Sequence, residues 1–82
     1  MPPYIDRPSR TALDSDARCP QTAGELNYAI TRLCNDYLAL CGTSYQTYND
    51  IVGALEGCKL EVYRRQVAPY EDDKIDQNGD VF

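Results

Sequence analysis

Eighty-two residues with a net charge of −5 and no histidine exclude a good deal before any element is placed. A chain this short buries only about 60–65% of the surface its unfolded form exposes, so one domain with a marginal core is expected, helped by a staple, a metal or a partner. No apolar run approaches the ~20 residues of a membrane span, and an acidic chain with no basic stripe lacks the counterion release that drives direct nucleic-acid binding.

The first twenty residues read as an arm. Pro2 and Pro3 keep MPPYI extended, while residues 9–18 can form one or two helical turns, with Ser9 as cap and Ala12, Leu13 and Ala17 as an apolar edge. Cys19-Pro20-Gln21 then breaks the chain. No apolar stretch follows Met1, so no secretory leader is expected. In a reducing cytoplasm Cys19, Cys34, Cys41 and Cys58 would be free, buried thiols rather than disulfides. No C-x-x-C occurs, so no metal or other cofactor is expected.

Residues 22–41 carry the first strong element. Thr22 as N-cap with Glu25 three positions on is a capping box, and Gly42 is the expected stop. Leu26, Ile30, Leu33, Cys34, Tyr37 and Cys41 fall on one stripe with Leu40 at its edge. Arg32 points away from that stripe, as do Asn35, Asp36 and Ala39.

A second helix is expected over residues 48–68, capped by Thr47 with Asp50 or by Asn49, and ended by Pro69. The short GTSYQ connection makes the pair an antiparallel two-helix hairpin. Ile51, Leu55, Cys58 and Val62 form its main stripe. On the opposite face lie Gly53, Gly57, Leu60 and Arg64, where small residues four apart admit another backbone. A helix apolar on two sides is usually sandwiched. That face is therefore expected to be covered by the arm or the tail, or to self-associate through Gly53, Gly57 and Leu60, making the protein a homo-oligomer.

Residues 69–82 form an acidic tail, with Glu71, Asp72, Asp73, Asp76 and Asp80 against Lys74. Asn78-Gly79 is a strong hairpin turn signal, so Lys74–Gln77 pairing with Asp80–Phe82 gives the tail a β-hairpin-like form. The fold class expected is thus mainly α, with an N-terminal arm or short helix and a β-like tail.

Chemistry is sparse. The absence of histidine removes Ser-His and Cys-His nucleophile pairs, and no phosphate-binding glycine loop is present. Asp72-Asp73 reads as part of a solvated tail rather than as a general acid–base pair. No catalytic residue is assigned, and the protein is not expected to be an enzyme. Seven tyrosines against one phenylalanine and no tryptophan suit a contact surface, each ring being apolar with a polar tip. Tyr28 with Arg32 four residues on, Tyr45 and Tyr48 at the hairpin loop, and Arg64 and Arg65 are the expected partner or ligand contacts. The two arginines are either helix-terminal charges answered by the following acids or a site for an anion, including a neighbour's Asp72 or Asp73.

GELNYAITRL, NDIVGALEGCKLEVYRRQVAPYEDDKIDQNGDVF and the opening PYID resemble a family of small proteins of unassigned activity carried by tailed phages and prophages. That resemblance covers the N-terminal tip and most of residues 24–82, and it implies a setting: the cytoplasm of a bacterial host. By analogy with small acidic phage proteins, the expected function is non-enzymatic. Such a protein would inhibit or modulate a host or anti-phage defence protein by stoichiometric binding. The alternatives are an oligomeric sponge for a nucleotide signal and a minor virion or assembly protein.

Overall fold

A computed structural model describes Arg7, Pro8, Thr11 and residues 19–82. The Ser9 cap, the Ala12–Leu13–Ala17 edge and the extended MPPYI start lie outside the described residues. Regular structure among the described residues is helical: α1 Ala23–Cys41, α2 Tyr45–Val62, a π-turn Tyr63–Val67 and α3 Ala68–Asn78. The mainly helical class and the hairpin-like order of two helices on a short connection therefore hold. The β-hairpin tail does not, because most of its residues belong to α3. The chain divides into two compact units whose boundary falls between Ile51 and Val52, inside α2.

In the first unit, α1 begins as its sequence dictates. Thr22 is extended and its hydroxyl accepts the Glu25 amide at 3.1 Å. Glu25 returns a bond one residue earlier than the reciprocal box would have it, its carboxylate accepting the Gln21 amide at 3.1 Å. At the other end Gly42 takes φ 84°, a left-handed conformation that costs glycine nothing, and its amide reaches the Leu38 carbonyl at 2.8 Å.

The connection to α2 corrects the expected cap. Ser44, not Thr47 or Asn49, starts the helix: its hydroxyl accepts the Thr47 amide at 3.1 Å and lies 3.0 Å from the Thr47 hydroxyl. Serine caps at least as well as threonine, and placing it here adds nearly a turn to α2. Thr47 is consequently enclosed, at 5% exposure. Asp50, released from any capping duty, takes the Tyr37 hydroxyl at 3.0 Å and the Gln46 amide nitrogen at 2.7 Å. This bond spans the turn and ties Asp50 of α2 to Tyr37 of α1.

The second unit corrects the role of Pro69. Inside a helix a proline lacks the amide for its i−4 bond, and its ring meets the carbonyl four residues back, here that of Arg65. Helical backbone nevertheless runs on from α2 into α3. The turn ahead of the proline takes one extra residue, and the Ala68 amide bonds the Tyr63 carbonyl, five residues back. Pro69 then sits in the first turn of α3, where a missing amide is harmless. Gly79, read as half of a hairpin turn, is instead the stop of α3. Its φ of 86° and its amide bond to the Ile75 carbonyl at 2.8 Å repeat the arrangement at Gly42. A positive φ suits both structures, and the continuing helix selects the cap.

Burial does not follow the expected stripes. No apolar side chain among the described residues is buried. The coverage of α1 is greatest at Ala29, Cys34 and Leu38, which are half-buried, and Ile51 is half-buried on α2. All four cysteines are free, but Cys19, Cys41 and Cys58 are exposed rather than buried.

Three outcomes follow from these contacts. Ser44→Ala should cost about 1 kcal/mol, lowering Tm by roughly 4–8 °C in circular-dichroism melts, with Ser44→Gly losing much less. Pro69→Ala restores a bond and removes the reason for the extra residue. It should raise stability by roughly 1–3 kcal/mol in urea titrations and shift the backbone resonances of residues 63–68 to ordinary α values. Tyr37 has its pKa pushed from 10.0 to about 12, chiefly by its hydrogen bond to Asp50, with Cys41 adding to it. Since the folded value lies above the unfolded one, this contribution to stability is complete below about pH 10 and is lost as pH climbs through about 12. Absorbance titration at 295 nm should show a late tyrosine component that Tyr37→Phe removes.

Candidate functional site

The described chain offers two local clusters, one in each unit. Around the connection, Tyr45 and Tyr48 occupy the first turn of α2. Tyr45 is 87% exposed and Tyr48 is about half exposed. Helical spacing sends the two rings from neighbouring positions of the same turn. The Tyr37–Asp50–Gln46 bonds fix the backbone on which they stand. Tyr28 and Arg32 are both exposed on α1, and no ring contact joins them. These residues present apolar area and hydroxyl groups to solvent, which suits binding to a protein surface.

The second cluster surrounds the π-turn. Glu61, one turn earlier on α2, takes both arginines: Arg64 Nη2 lies 2.9 and 3.2 Å from its two oxygens, and Arg65 Nε lies 2.9 Å from Oε2. The expected local answer to the arginines, the acids after Pro69, is replaced by an acid before them. Spacings of three and four along a helix bring such side chains together, while Asp72 and Asp73 stand a further two turns on. Glu61 is 22% exposed at its side chain against 66% and 63% for the arginines, so the carboxylate is the sheltered partner of two outward guanidinium groups.

Beside this triad, the Tyr63 hydroxyl donates to Glu71 Oε1 at 2.7 Å, eight residues away. Two α-turns take about seven residues, and the extra residue of the π-turn makes the span eight. The bond therefore clasps the distorted turn, and Glu71 raises the Tyr63 pKa by holding its proton. Farther along, Lys74 sits over the Tyr70 ring, 5.4 Å from its centroid. An open groove lies between α3 and the residues after it, lined by Tyr63, Glu71, Asp72, Ile75, Val81 and Phe82 among others.

The three positions read as a self-association groove do not share one environment. Gly53 is exposed, with nothing within 4 Å of where a Cβ would stand. Gly57 is buried within the single chain, and Leu60 is 57% exposed. Among the described residues no three His, Cys, Asp or Glu side chains converge as metal ligands, and no helix is long and apolar enough to cross a membrane. Glu61 and Gln46 were not singled out by sequence, while Asp50 was read as a capping partner and Glu71 as one acid of the tail. The E-x-x-R-R spacing carries the signal for Glu61, whereas the Tyr63–Glu71 pair is legible only once the extra residue of the turn is known.

Neither the curated proteins nor the solved structures yield a significant match. A family model does match, over residues 1–81, and the chain belongs to that family, described as a domain of unknown function, DUF6899.

Proposed function

We propose that this is a non-enzymatic binding protein, encoded by a phage and acting in the bacterial cytoplasm, that inhibits or modulates a host or anti-phage defence protein by stoichiometric association. The observation that carries the reading is the unburied state of the described apolar side chains. Soluble monomers rarely leave large contiguous apolar patches in water, and such patches commonly mark sites of association. Here the exposed side chains include Tyr28, Tyr45, Tyr48 and Tyr70, the ring type enriched at contact surfaces. The phage setting rests on the NDI-GALE-KLE-YRR-APYED sequence resemblance alone.

The nucleotide-sponge reading stands second. Exposed guanidinium groups beside Tyr63 would suit a phosphate and a base, but Glu61 already engages both arginines, and an anion has to compete with it.

Tagged protein expressed in a bacterial host should retain one host protein at a one-to-one ratio and abolish that protein's activity when titrated to equivalence. Tyr45→Ala with Tyr48→Ala should weaken the complex at least tenfold, about 1.4 kcal/mol, without loss of helicity. Retention of no host protein at stoichiometric yield overturns the reading. Stabilisation by cyclic dinucleotides, ~2.7 kcal/mol at a hundredfold excess over Kd, transfers it to the nucleotide alternative.

A further inference from the structure

Leu26, Leu33 and Leu40 recur at every seventh position of α1 and are 51, 67 and 85% exposed. A straight helix drifts only ~20° per heptad, so the three lie nearly on one line. To one side are the half-buried Cys34 and Leu38, with Ile30 and Tyr37 at the border at 38 and 40%. The three leucines are thus more exposed than the half-buried positions on either side of them. On the opposite side stand the half-buried Ala29 and the exposed Arg32 and Asp36. Neither Arg32 nor Asp36 has an ion-pair partner among the described residues. Arginine preceding the acid by four is also the weaker order for pairing within a helix.

We propose that this line is the contact between two copies of the chain, packed antiparallel about a twofold axis at Leu33. The inference shares with the binding reading only the premise that exposed apolar side chains seek a partner. Leu26 and Leu40 each lie seven residues, ~10 Å, from Leu33. A second antiparallel copy therefore sets Leu33 against its own counterpart and Leu26 against Leu40 of that copy, in three matched layers. Antiparallel packing also brings the same flank of both helices to the same side. Arg32 of one copy then lies about two residues, ~3 Å along the axis, from Asp36 of the other, and the pair forms twice. A parallel arrangement puts these flanks on opposite sides and pairs neither charge. Self-complementarity in both apolar spacing and charge is what a twofold interface requires, and it identifies a second copy as the occupant.

Size exclusion with light scattering on the full chain should give twice the 9.2 kDa chain mass. Leu33→Glu, which sets two like charges together at the axis, should give the single mass. Because that variant could also lose its fold, a charge exchange supplies the second arm. Arg32→Asp and Asp36→Arg should each weaken the dimer about tenfold, and the double exchange should restore it. A wild-type monomer at its highest soluble concentration overturns the proposal. So does a dimer indifferent to Leu33→Glu, or one whose double exchange fails to recover. A monomer that still captures a host protein removes this inference and leaves the binding reading, while a dimer that captures none does the reverse.

Discussion

A helix closes its own backbone hydrogen bonds and leaves its apolar side chains to something else, and this division governs the described chain. The backbone is attended to at both kinds of terminus. Thr22 and Ser44 receive amides at helix starts, and Gly42 and Gly79 turn into left-handed conformations at helix stops. The side-chain half of the requirement is unmet, since no apolar side chain among the described residues is buried. Local signals therefore settle where helices begin and end, while stability depends on what comes to cover them. Cover supplied by another molecule makes apparent stability rise with that molecule's concentration, so recognition and folding become one equilibrium.

The π-turn is the second organising element, and it follows from one residue. Pro69 can end a helix or be absorbed by it, and the extra residue before it takes the second course. The register of everything beyond is then shifted by one position. That shift brings Tyr63 and Glu71 into line, where a regular helix would set positions eight apart about 80° from each other around the axis. Glu61, Arg64 and Arg65 meet across the entry to the same turn. Two sets of polar contacts thus bracket the irregular turn of the helical ladder. Exposed pairs of this kind contribute little stability singly, so their effect is to choose one geometry of the turn over its alternatives.

Much of this was legible in the sequence, and the exceptions share a cause. The α1 boundaries could be read from Thr22, Glu25 and Gly42 because each has one good local use. Ser44, Pro69 and Gly79 have two. Serine at 44 and threonine at 47 are both competent caps three residues apart, and the choice lies with Asp50, which has better partners in Tyr37 and Gln46. Asn78-Gly79 suits a hairpin or a helix end equally, because either needs a positive φ. Proline carries no mark that tells a break from an absorbed extra residue. Periodicity named the residues that share a face of α1, including Leu26, Leu33 and, at the edge, Leu40. It could not say whether that face is covered, because coverage belongs to neighbours the helix pattern does not contain. Tyr28, Tyr45 and Tyr48 are exposed, whereas the glycine groove divides into an open Gly53 and a buried Gly57.

The paired arginines illustrate how a neighbour decides the meaning of a charge. Read alone, Arg64-Arg65 followed by acids suggests either a helix end neutralised by its tail or an anion site. A helix that continues through Pro69 removes the first premise, because the arginines no longer stand at a C-terminus with its partial negative charge. Glu61 bears on the second. Its carboxylate is the more sheltered group and already accepts from both guanidinium groups, so a phosphate entering there meets like charge at close range. The side chains of Arg64 and Arg65 are nonetheless 66 and 63% exposed. Glu61 thus makes the arginine pair a poor phosphate cradle.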